Sequence, residues 1–225
     1  MREIGPAKPL VRVGGVPLLE HVIARARTAG VDRFFVVTGY RGEDVRRHLD
    51  RYCAQESLEL VHIVNDSWQR ANGVSVLKAQ PHLDGPFLLS MCDHLVDPHI
   101  LRALLSSSAP PDTVTLAVDF NVASTINDLE DVTRVKCSNG AIERIGKGLA
   151  DFNALDTGVF LCHPILFKAL EASQAEGDDS ISGAMNVLAR WEKARVFDVQ
   201  GRLWIDVDDP PSLRKAEELL AAGRL

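Results

Sequence analysis

Short apolar runs alternate with longer amphipathic stretches along the chain. The runs are almost continuous in large apolar side chains, which is typical of strands that are buried on both faces. They predict strands at residues 34–38, 58–64, 87–91, 113–118, 132–137, 141–145, 158–162, 195–199 and, as an extended segment, 203–207. The amphipathic stretches have apolar residues at helical spacing and predict helices at residues 17–29, 43–53, 73–80, 98–105, 164–172, 180–189 and 210–222.

The order of these elements predicts an α/β fold. Regular alternation of strand and helix is typical of a doubly wound, mostly parallel Rossmann-like sheet with helices on both faces. The second half departs from that order. Only Ser138-Asn139-Gly140 separates the strands at 132–137 and 141–145, and this turn signal predicts an antiparallel β-hairpin insertion. The sequence contains no internal repeat or linker-like tract, so residues 1–225 are predicted to form a single domain.

Composition and charge exclude several classes of protein. The 25 Lys and Arg residues are outnumbered by 31 Asp and Glu residues, and the net charge of −6 gives no basic surface for nucleic acid. The four cysteines are scattered without the Cys/His spacing of a zinc site, which favours reduced thiols. No apolar run approaches the ~20 residues that span a bilayer. We therefore expect a cytoplasmic domain with no nucleic-acid partner and no membrane contact.

Residues 87–98 (FLLSMCDHLVDP) raise the first chemical question, because a run built for burial ends in a carboxylate. Ligands of open α/β sheets bind where the strands end, and Asp93 follows the strand at 87–91. A carboxylate in an apolar setting is costly unless it faces a cleft, a cation or a helix N-terminus. Asp93 is thus either a site residue or a turn residue, whereas Asp97 is expected to cap the helix that begins at Pro98.

A second set of carboxylates lies near the end of the sequence. Asp206 and Asp208 are two residues apart in an extended segment, so both side chains lie on one face. Like charges on one face repel unless a cation lies between them, and sparse oxygen ligands suit Mg²⁺. The alternative is that Asp208 or Asp209 caps the helix that begins at Pro210, and for Asp209 we expect the cap.

Lys8 lies in a proline-flanked segment with the sequence GPAKPL. Proline restricts the backbone on either side, which suits a fixed positive charge aimed at a phosphate group. The pattern alone is equally compatible with an exposed lysine that binds nothing.

Taken together, these stretches resemble the nucleotidyltransferases that couple a nucleoside triphosphate to a sugar phosphate or alcohol phosphate. The similarity covers essentially the whole chain. It is most specific to the inositol-1-phosphate cytidylyltransferases, including the domain found in bifunctional di-inositol-phosphate pathway enzymes. The pieces that carry it are GPAKPL, FFVVTGY, Asn72-Gly73, MCDHLVDP, the hairpin ending in IGK, DFNALDTGVFLC, GDDSISGAM and WIDVDDPP. The MCDH and WIDVD pieces indicate the superfamily, and DTGVF after the hairpin narrows it towards the inositol-phosphate branch.

The resemblance implies roles for individual residues. Mg²⁺ would be held by Asp93, Asp206 and Asp208, the triphosphate by Lys8, the base and ribose by Asn72 and Gly73, the acceptor phosphate by Lys147, and the rest of the acceptor by Asp156, Thr157 and Gly158. Of these, Lys8, Asp93 and Lys147 would be catalytic. Lys147 is also compatible with a solvated hairpin lysine and Asp156 with a turn residue, while Lys136 is expected to be an exposed strand residue.

The implied reaction needs no covalent intermediate. A phosphate oxygen of the acceptor, inositol 1-phosphate in this branch, attacks the α-phosphorus of CTP, and pyrophosphate leaves to give CDP-inositol. Such chemistry depends on positioning and on neutralising charge. The resemblance also implies a membrane-embedded CDP-alcohol phosphotransferase as a further domain or partner in the parent pathway.

The sequence departs from the family at its start. In the superfamily the first strand is followed by a Gly-rich loop whose backbone N–H groups cradle the triphosphate, and Met1-Arg2-Glu3-Ile4 already lies past it. We therefore expect a domain that lacks its first strand and this loop. We also expect the 225-residue chain, made as written, to be poorly stable or inactive.

Two other functions stay open at this point. A different nucleotide or acceptor, such as a sugar 1-phosphate or phosphocholine, would use the same carboxylates. A non-catalytic nucleotide-binding remnant is favoured by the missing loop. It is disfavoured by the retention of Lys8 and the three carboxylates, because a decayed site has no physical reason to keep them.

Overall fold

The computed structural model describes residues 7–225. The expectation of a missing first strand and Gly-rich loop rests on residues 1–4, which lie outside the described residues, as do Gly5 and Pro6. Between residues 7 and 225, no helix is both long enough and apolar enough to cross a bilayer.

Strands and helices alternate through most of the described chain. The strands are β1 (Arg12–Val13), β2 (Val16–Pro17), β3 (Arg33–Thr38), β4 (Glu59–Val64), β5 (Phe87–Ser90), β6 (His94–Val96), β7 (Val114–Asp119), β8 (Arg134–Ser138), β9 (Ala141–Gly146), β10 (Ala154–Cys162), β11 (Ala194–Asp198) and β12 (Trp204–Asp206). The helices are α1 (Leu18–Thr28), α2 (Gly42–Glu56), α3 (Asn72–Lys78), α4 (Pro98–Leu105), α5 (Ile165–Ala175), α6 (Ile181–Arg190) and α7 (Pro210–Ala221). Short 3-10 turns occupy Lys8–Leu10 and Gln80–His82.

The main sheet has six strands in the order β5-β10-β7-β11-β9-β8. Strand β10 runs antiparallel to both β5 and β7, whereas β7 and β11 are parallel. The hairpin β8–β9 is antiparallel, and β3 and β4 form a separate parallel pair. The α/β class and the hairpin are therefore confirmed. The six-stranded sheet is mixed, however, and not mostly parallel as predicted. The sequence does not distinguish the two directions, because a strand buried on both faces has the same apolar run whichever way it points.

The main sheet is covered on both faces because strand residues alternate between them. All six residues of β7 are buried. Leu116 and Val118 belong to a core that includes side chains of α5 and α6, whereas Ala117 belongs to a second core with side chains of α1 and α4. This two-sided burial explains the continuous apolar run in the sequence.

The short pair β6–β12 connects the fold to the predicted site. The two strands are antiparallel, and their register sets Asp206 opposite His94. Leu95 and Ile205 anchor the pair in a third apolar core, and both are fully buried. The two capping predictions made for the flanking helices are confirmed. The side chain of Asp97 accepts a hydrogen bond from the His99 N–H at 2.8 Å, and that of Asp209 accepts one from the Ser212 N–H at 2.7 Å.

Candidate active site

The β6–β12 pairing brings together carboxylates that are far apart in the sequence. Asp93 immediately precedes β6, and its carbonyl oxygen accepts a hydrogen bond from the Val207 N–H at 3.0 Å. Asp206 is the last residue of β12, and Asp208 follows it by two positions. The backbone ladder therefore fixes the two acidic segments side by side.

The side chains of these segments form one cluster with Lys8. Asp93, His94 and Asp206 each offer a potential ligand atom, and these atoms lie within 4.8 Å of one another. The Nδ1 atom of His94 lies 2.8 Å from Asp93 Oδ1 and 3.7 Å from Asp206 Oδ1. Lys8 Nζ lies 2.6 Å from Asp93 Oδ2 and forms a second ion pair with Asp208. Four of the residues predicted for the site thus converge, together with a histidine that was not predicted.

Charge pairing dominates one side of the cluster. Burial alone would raise the pKa of Asp93, but the hydrogen bond from His94 and the charge of Lys8 hold that pKa well below its usual range. Burial alone would lower the pKa of Lys8, but Asp93 and Asp208 raise it above its usual value. Lys8 and Asp93 are therefore both charged at neutral pH.

Asp206 behaves differently from its neighbours. Burial raises the pKa of Asp206 to about 7, and the negative charges of Asp93 and Asp208 add to this effect against the opposing charge of His94. Its Oδ1 atom is buried and has no hydrogen-bond partner among the described residues. A buried carboxylate oxygen without a partner is costly, so this atom is available for a cation.

This donor set fits a hard divalent cation. Asp93 and Asp206 offer oxygen atoms within 4.8 Å of each other, and Asp208, which pairs with Lys8, adds a third carboxylate beside them. One oxygen of Asp206 has no partner among the described residues, and the region already holds the positive charge of Lys8. Such sparse, oxygen-rich sites are typical of ions that complete their coordination with water and phosphate oxygens.

The cluster forms one wall of a cavity of about 740 Å³. The lining residues include the aspartates Asp93, Asp128, Asp131, Asp156, Asp206, Asp208 and Asp209, the lysines Lys8 and Lys147, and the neutral polar or apolar residues Asn72, Met91, Asn127, Val132, Thr133, Phe160, Ile181 and Ser182. Carboxylates greatly outnumber lysines, so the cavity as a whole favours ligands that bring cations with them.

The predicted acceptor residues Lys147, Asp156 and Gly158 line the same cavity. Lys147 forms an ion pair with Asp131. Asp156 lies where the register of β10 against β7 shifts, and its Oδ1 atom accepts a hydrogen bond from the Gly158 N–H at 2.7 Å. Burial raises the pKa of Asp156 to about 6. Asp156 is therefore a carboxylate aimed into the cavity by an irregularity in a buried strand.

Gly158 has a structural reason to be glycine. Its φ of +73° lies in the left-handed region, and a Cβ atom there would lie 2.6 Å from His94 Cδ2. The ring of His94 also stacks on Trp204, with a centroid distance of 6.1 Å and an angle of 9° between the planes. His94 is thus held from both sides.

Two predicted ligand contacts lack support from this geometry. Gly73 is buried against the segment before α6, where a Cβ atom would lie 2.4 Å from the Asp179 carbonyl oxygen. Thr157 is fully buried, and its hydroxyl donates to the Ala117 carbonyl at 2.8 Å. Neither residue lines the cavity, whereas Asn72 does and accepts a hydrogen bond from the Ile181 N–H at 3.0 Å. Lys136 is a half-buried strand residue, not a fully exposed one, and it pairs with Asp151 at 2.8 Å outside the cavity.

Sequence reasoning missed several polar residues of the cavity, among them His94, Asn127, Asp128 and Asp131. His94 belongs to the MCDH piece that indicates the superfamily, but the resemblance assigned it no role. Asn127, Asp128 and Asp131 lie in a loop between β7 and β8, and an irregular polar segment has no periodicity to interpret. The available signal was the concentration of acidic and amide side chains at residues 127–131, between the predicted strands at 113–118 and 132–137.

Known proteins resemble this chain in sequence and structure. A bifunctional IPC transferase and DIPP synthase from Rubrobacter xylanophilus is 36% identical over 98% of this chain and 49% of its own length. A protein of the same name from Aquifex aeolicus is 28% identical over 95% of this chain and 46% of its own length. The chain therefore spans about half the length of these relatives.

Solved structures share the fold. The inositol-1-phosphate CTP transferase from T. maritima has a TM-score of 0.84 and 25% sequence identity, and the match covers 95% of this chain and 86% of that one. A UDP-glucose pyrophosphorylase complexed with UDP-glucose has a TM-score of 0.79 at 15% identity over 96% of this chain and 91% of its own, which supports the fold alone. Residues 1–195 match the family described as the MobA-like NTP transferase domain. The resemblance inferred from the motifs is thus confirmed, and the chain belongs to the MobA-like NTP transferase domain family of nucleotidyltransferases.

Proposed function

We propose that this domain transfers CMP from CTP to inositol 1-phosphate, giving CDP-inositol and pyrophosphate. A phosphate oxygen of the acceptor attacks the α-phosphorus of CTP, the bond from that phosphorus to the leaving pyrophosphate breaks, and no bond to the protein forms. The names of the relatives and the T. maritima neighbour support this choice of substrates.

One observation carries the proposal. Asp93, Asp206 and Asp208 converge around Lys8 at one wall of a cavity that also contains Lys147 and Asp156. A nucleotidyl transfer needs such an arrangement, because two phosphate-bearing substrates have to approach each other despite their negative charges.

Mg²⁺ is the proposed cofactor, with Asp93, Asp206 and Asp208 as its protein ligands. When bound, the ion would neutralise negative charge on the phosphates. His94 holds Asp93 in place through the 2.8 Å contact. Lys8 is proposed to exchange its ion pairs with Asp93 and Asp208 for the triphosphate when the nucleotide enters.

The acceptor is proposed to bind at the wall formed by Lys147 and Asp156. The amine of Lys147 would hold the acceptor phosphate, in exchange for its exposed ion pair with Asp131. A carboxylate such as Asp156 can accept hydrogen bonds from ring hydroxyls, which suits a polyol. Asn72 lines the cavity where the base and ribose are proposed to lie.

Pyrophosphate release with defined substrate pairs tests the proposal. The purified protein that carries this domain is incubated with Mg²⁺ and each of CTP, UTP, GTP, ATP and dTTP, combined with inositol 1-phosphate, glucose 1-phosphate or phosphocholine. We expect CTP with inositol 1-phosphate to react at least 10-fold faster than any other pair. A faster reaction with another pair would overturn the substrate assignment. Tight CTP binding without turnover of any pair would favour a non-catalytic remnant.

A lysine substitution tests the acceptor wall separately. Lys147→Met should raise the KM for inositol 1-phosphate by about 10-fold or more, a loss of ~1.4 kcal/mol of binding, with little change in the KM for CTP. Lys136→Met is the matched control, because Lys136 is also an ion-paired lysine of the hairpin but lies outside the cavity. Equal changes in the two variants would contradict the role of Lys147.

The bifunctional names of the relatives bear on the fate of the product. We infer that CDP-inositol passes to a second activity of the parent protein or pathway, carried by a CDP-alcohol phosphotransferase in a membrane. The bifunctional names of the relatives support this inference.

A further inference from the structure

Strand β12 has one edge that β6 does not cover. The Leu203 carbonyl accepts a hydrogen bond from the Asp97 N–H at 2.9 Å, and the Val207 N–H donates to Asp93 at 3.0 Å. These groups face β6. Because backbone groups alternate along a strand, the carbonyl of Trp204 and the N–H of Asp206 face the opposite edge.

The side chain of Asn127 binds that opposite edge. The Oδ1 atom of Asn127 accepts a hydrogen bond from the Asp206 N–H at 2.9 Å, and its Nδ2 atom donates to the Trp204 carbonyl at 3.3 Å. One amide thus makes the two contacts that a neighbouring strand would make. Asn127 also lines the cavity.

The loop that carries Asn127 is fastened on both sides of it. The amine of Lys215 on α7 donates to the Thr125 carbonyl, and the guanidinium of Arg134 donates to the Leu129 carbonyl at 2.9 Å. The amide is therefore held against β12 from two directions.

The carboxylate of Asp206 depends on this backbone support. Its buried Oδ1 atom has no hydrogen-bond partner in the described part of the chain, so no such contact fixes that oxygen. The direction of the side chain then depends on its neighbours Asp208 and His94 and on the backbone of β12. That backbone is held by β6 on one edge and by Asn127 on the other.

We propose that Asn127 is a positioning residue for metal binding, which acts by holding the backbone of Asp206 so that its carboxylate faces the ion. This inference rests on the proposed function, because it takes Asp206 as a metal ligand. Partners of metal ligands are worth about 10- to 100-fold in metal affinity. Loss of the Asn127 side chain is expected to lower metal affinity by a factor in this range, although Asn127 contacts the backbone at Asp206 and not its carboxylate.

The chain offers a matched control. Asn153 makes the same kind of paired contact on Cys137, accepting from its N–H at 2.9 Å and donating to its carbonyl at 2.8 Å. Asn153 does not line the cavity. Loss of either amide removes one accepted and one donated backbone hydrogen bond, but only Asn127 supports a proposed ligand.

The test measures Mn²⁺ binding to the nucleotide-free protein. Electron paramagnetic resonance of the free ion monitors the titration. Asn127→Ala should raise the Mn²⁺ dissociation constant by about 10- to 100-fold. Asn153→Ala should change it by less than about two-fold, with a comparable loss of thermal stability in the two variants. In turnover assays, the Asn127→Ala defect should shrink as Mg²⁺ is raised, which a general loss of structure would not produce.

Three results would overturn the inference. Native affinity for Mn²⁺ in the Asn127→Ala protein would remove the positioning role while leaving the proposed function intact. An equal rise of the Mn²⁺ dissociation constant in the Asn153→Ala protein would mean that metal affinity follows the general stability of the fold. Failure of the native protein to bind Mn²⁺ at all would count against the proposed function and, with it, this inference.

Discussion

Lys8 lies between two carboxylates, where a bound cation would also be attracted. Its amine pairs with both Asp93 and Asp208, and mutual attraction raises the pKa of Lys8 despite burial. A divalent ion entering the cluster has to share these carboxylates with a positive charge that is already present. The same lysine is proposed to bind the triphosphate, so metal binding and nucleotide binding are coupled through one side chain.

Removing the charge of Lys8 should therefore have opposite effects on the two ligands. Lys8→Met is expected to lower the Mg²⁺ dissociation constant of the nucleotide-free protein by about 10-fold, or ~1.4 kcal/mol, because a competing cation is gone. The KM for the nucleotide should rise by at least as much. Calorimetry with Mg²⁺ alone measures the first effect, and Lys136→Met, whose ion pair lies outside the cavity, is the control. Weaker Mg²⁺ binding in the Lys8→Met protein would contradict this account.

As a proposed metal ligand, Asp206 should make metal binding sensitive to pH. Its pKa is raised to about 7 chiefly by burial, so the protonated form predominates below pH 7 in the metal-free protein. A protonated carboxylate has to lose its proton before it binds the ion. We expect Mg²⁺ affinity to fall about 10-fold for each unit of pH below 7 and to level off above pH 8. Calorimetry at pH 6, 7 and 8 checks this slope, and an affinity independent of pH over that range would be the contrary result.

The elements of the fold differ in how far the sequence predicts them. Strand β7 is predicted closely, because burial on both faces leaves a run from residue 114 that only Thr115 interrupts before Asp119. The direction of β10 is not predicted, because such a run is the same in a parallel and an antiparallel neighbour. The loop between β7 and β8 supplies Asn127, Asp128 and Asp131 to the cavity, but it has no periodicity from which their position could be inferred.

The residues of the predicted site also differ in how far the sequence identifies them. Asp93 is identifiable because a carboxylate at the end of an apolar run requires an explanation. Asp206 is identifiable because it shares one face of an extended segment with a second carboxylate, Asp208. Thr157 and Gly73 lie in motifs beside the cavity but do not line it. The Thr157 hydroxyl binds the Ala117 carbonyl, and Gly73 leaves room for the Asp179 carbonyl, so both residues contact the protein interior. A motif indicates the neighbourhood of a site, whereas the pleat of the strand decides which of its residues face the ligand.

Strand β10 positions His94 through a glycine. Gly158→Ala would force a side chain into the left-handed region and bring its Cβ atom to 2.6 Å from the ring of His94. We expect a loss of about 2–4 kcal/mol in the free energy of unfolding, measured by urea denaturation. Gly146→Ala is the control, because a Cβ atom there meets nothing within 4 Å. A loss below about 1 kcal/mol at Gly158 would mean that β10 and His94 can separate without cost.

At the scale of the whole molecule, the α/β layers hold two acidic segments in register at the edge of a large cavity. Strands β6 and β12 carry these segments, and the apolar core around Leu95 and Ile205 keeps the strands paired. Membership of the MobA-like NTP transferase domain family agrees with this architecture. The central claim is that the fold serves to hold Asp93, Asp206 and Asp208 around one divalent ion during nucleotidyl transfer.

The most direct test of that claim is Mg²⁺-dependent pyrophosphate release by single carboxylate variants. Asp93→Asn, Asp206→Asn and Asp208→Asn should each lower kcat/KM by about 10³-fold, equivalent to ~4 kcal/mol of transition-state stabilisation. Asp97→Asn should stay within a few-fold of the native protein, because Asp97 caps α4 outside the cavity and asparagine also caps helices well. Native turnover in the Asp93→Asn or Asp206→Asn protein would contradict the account.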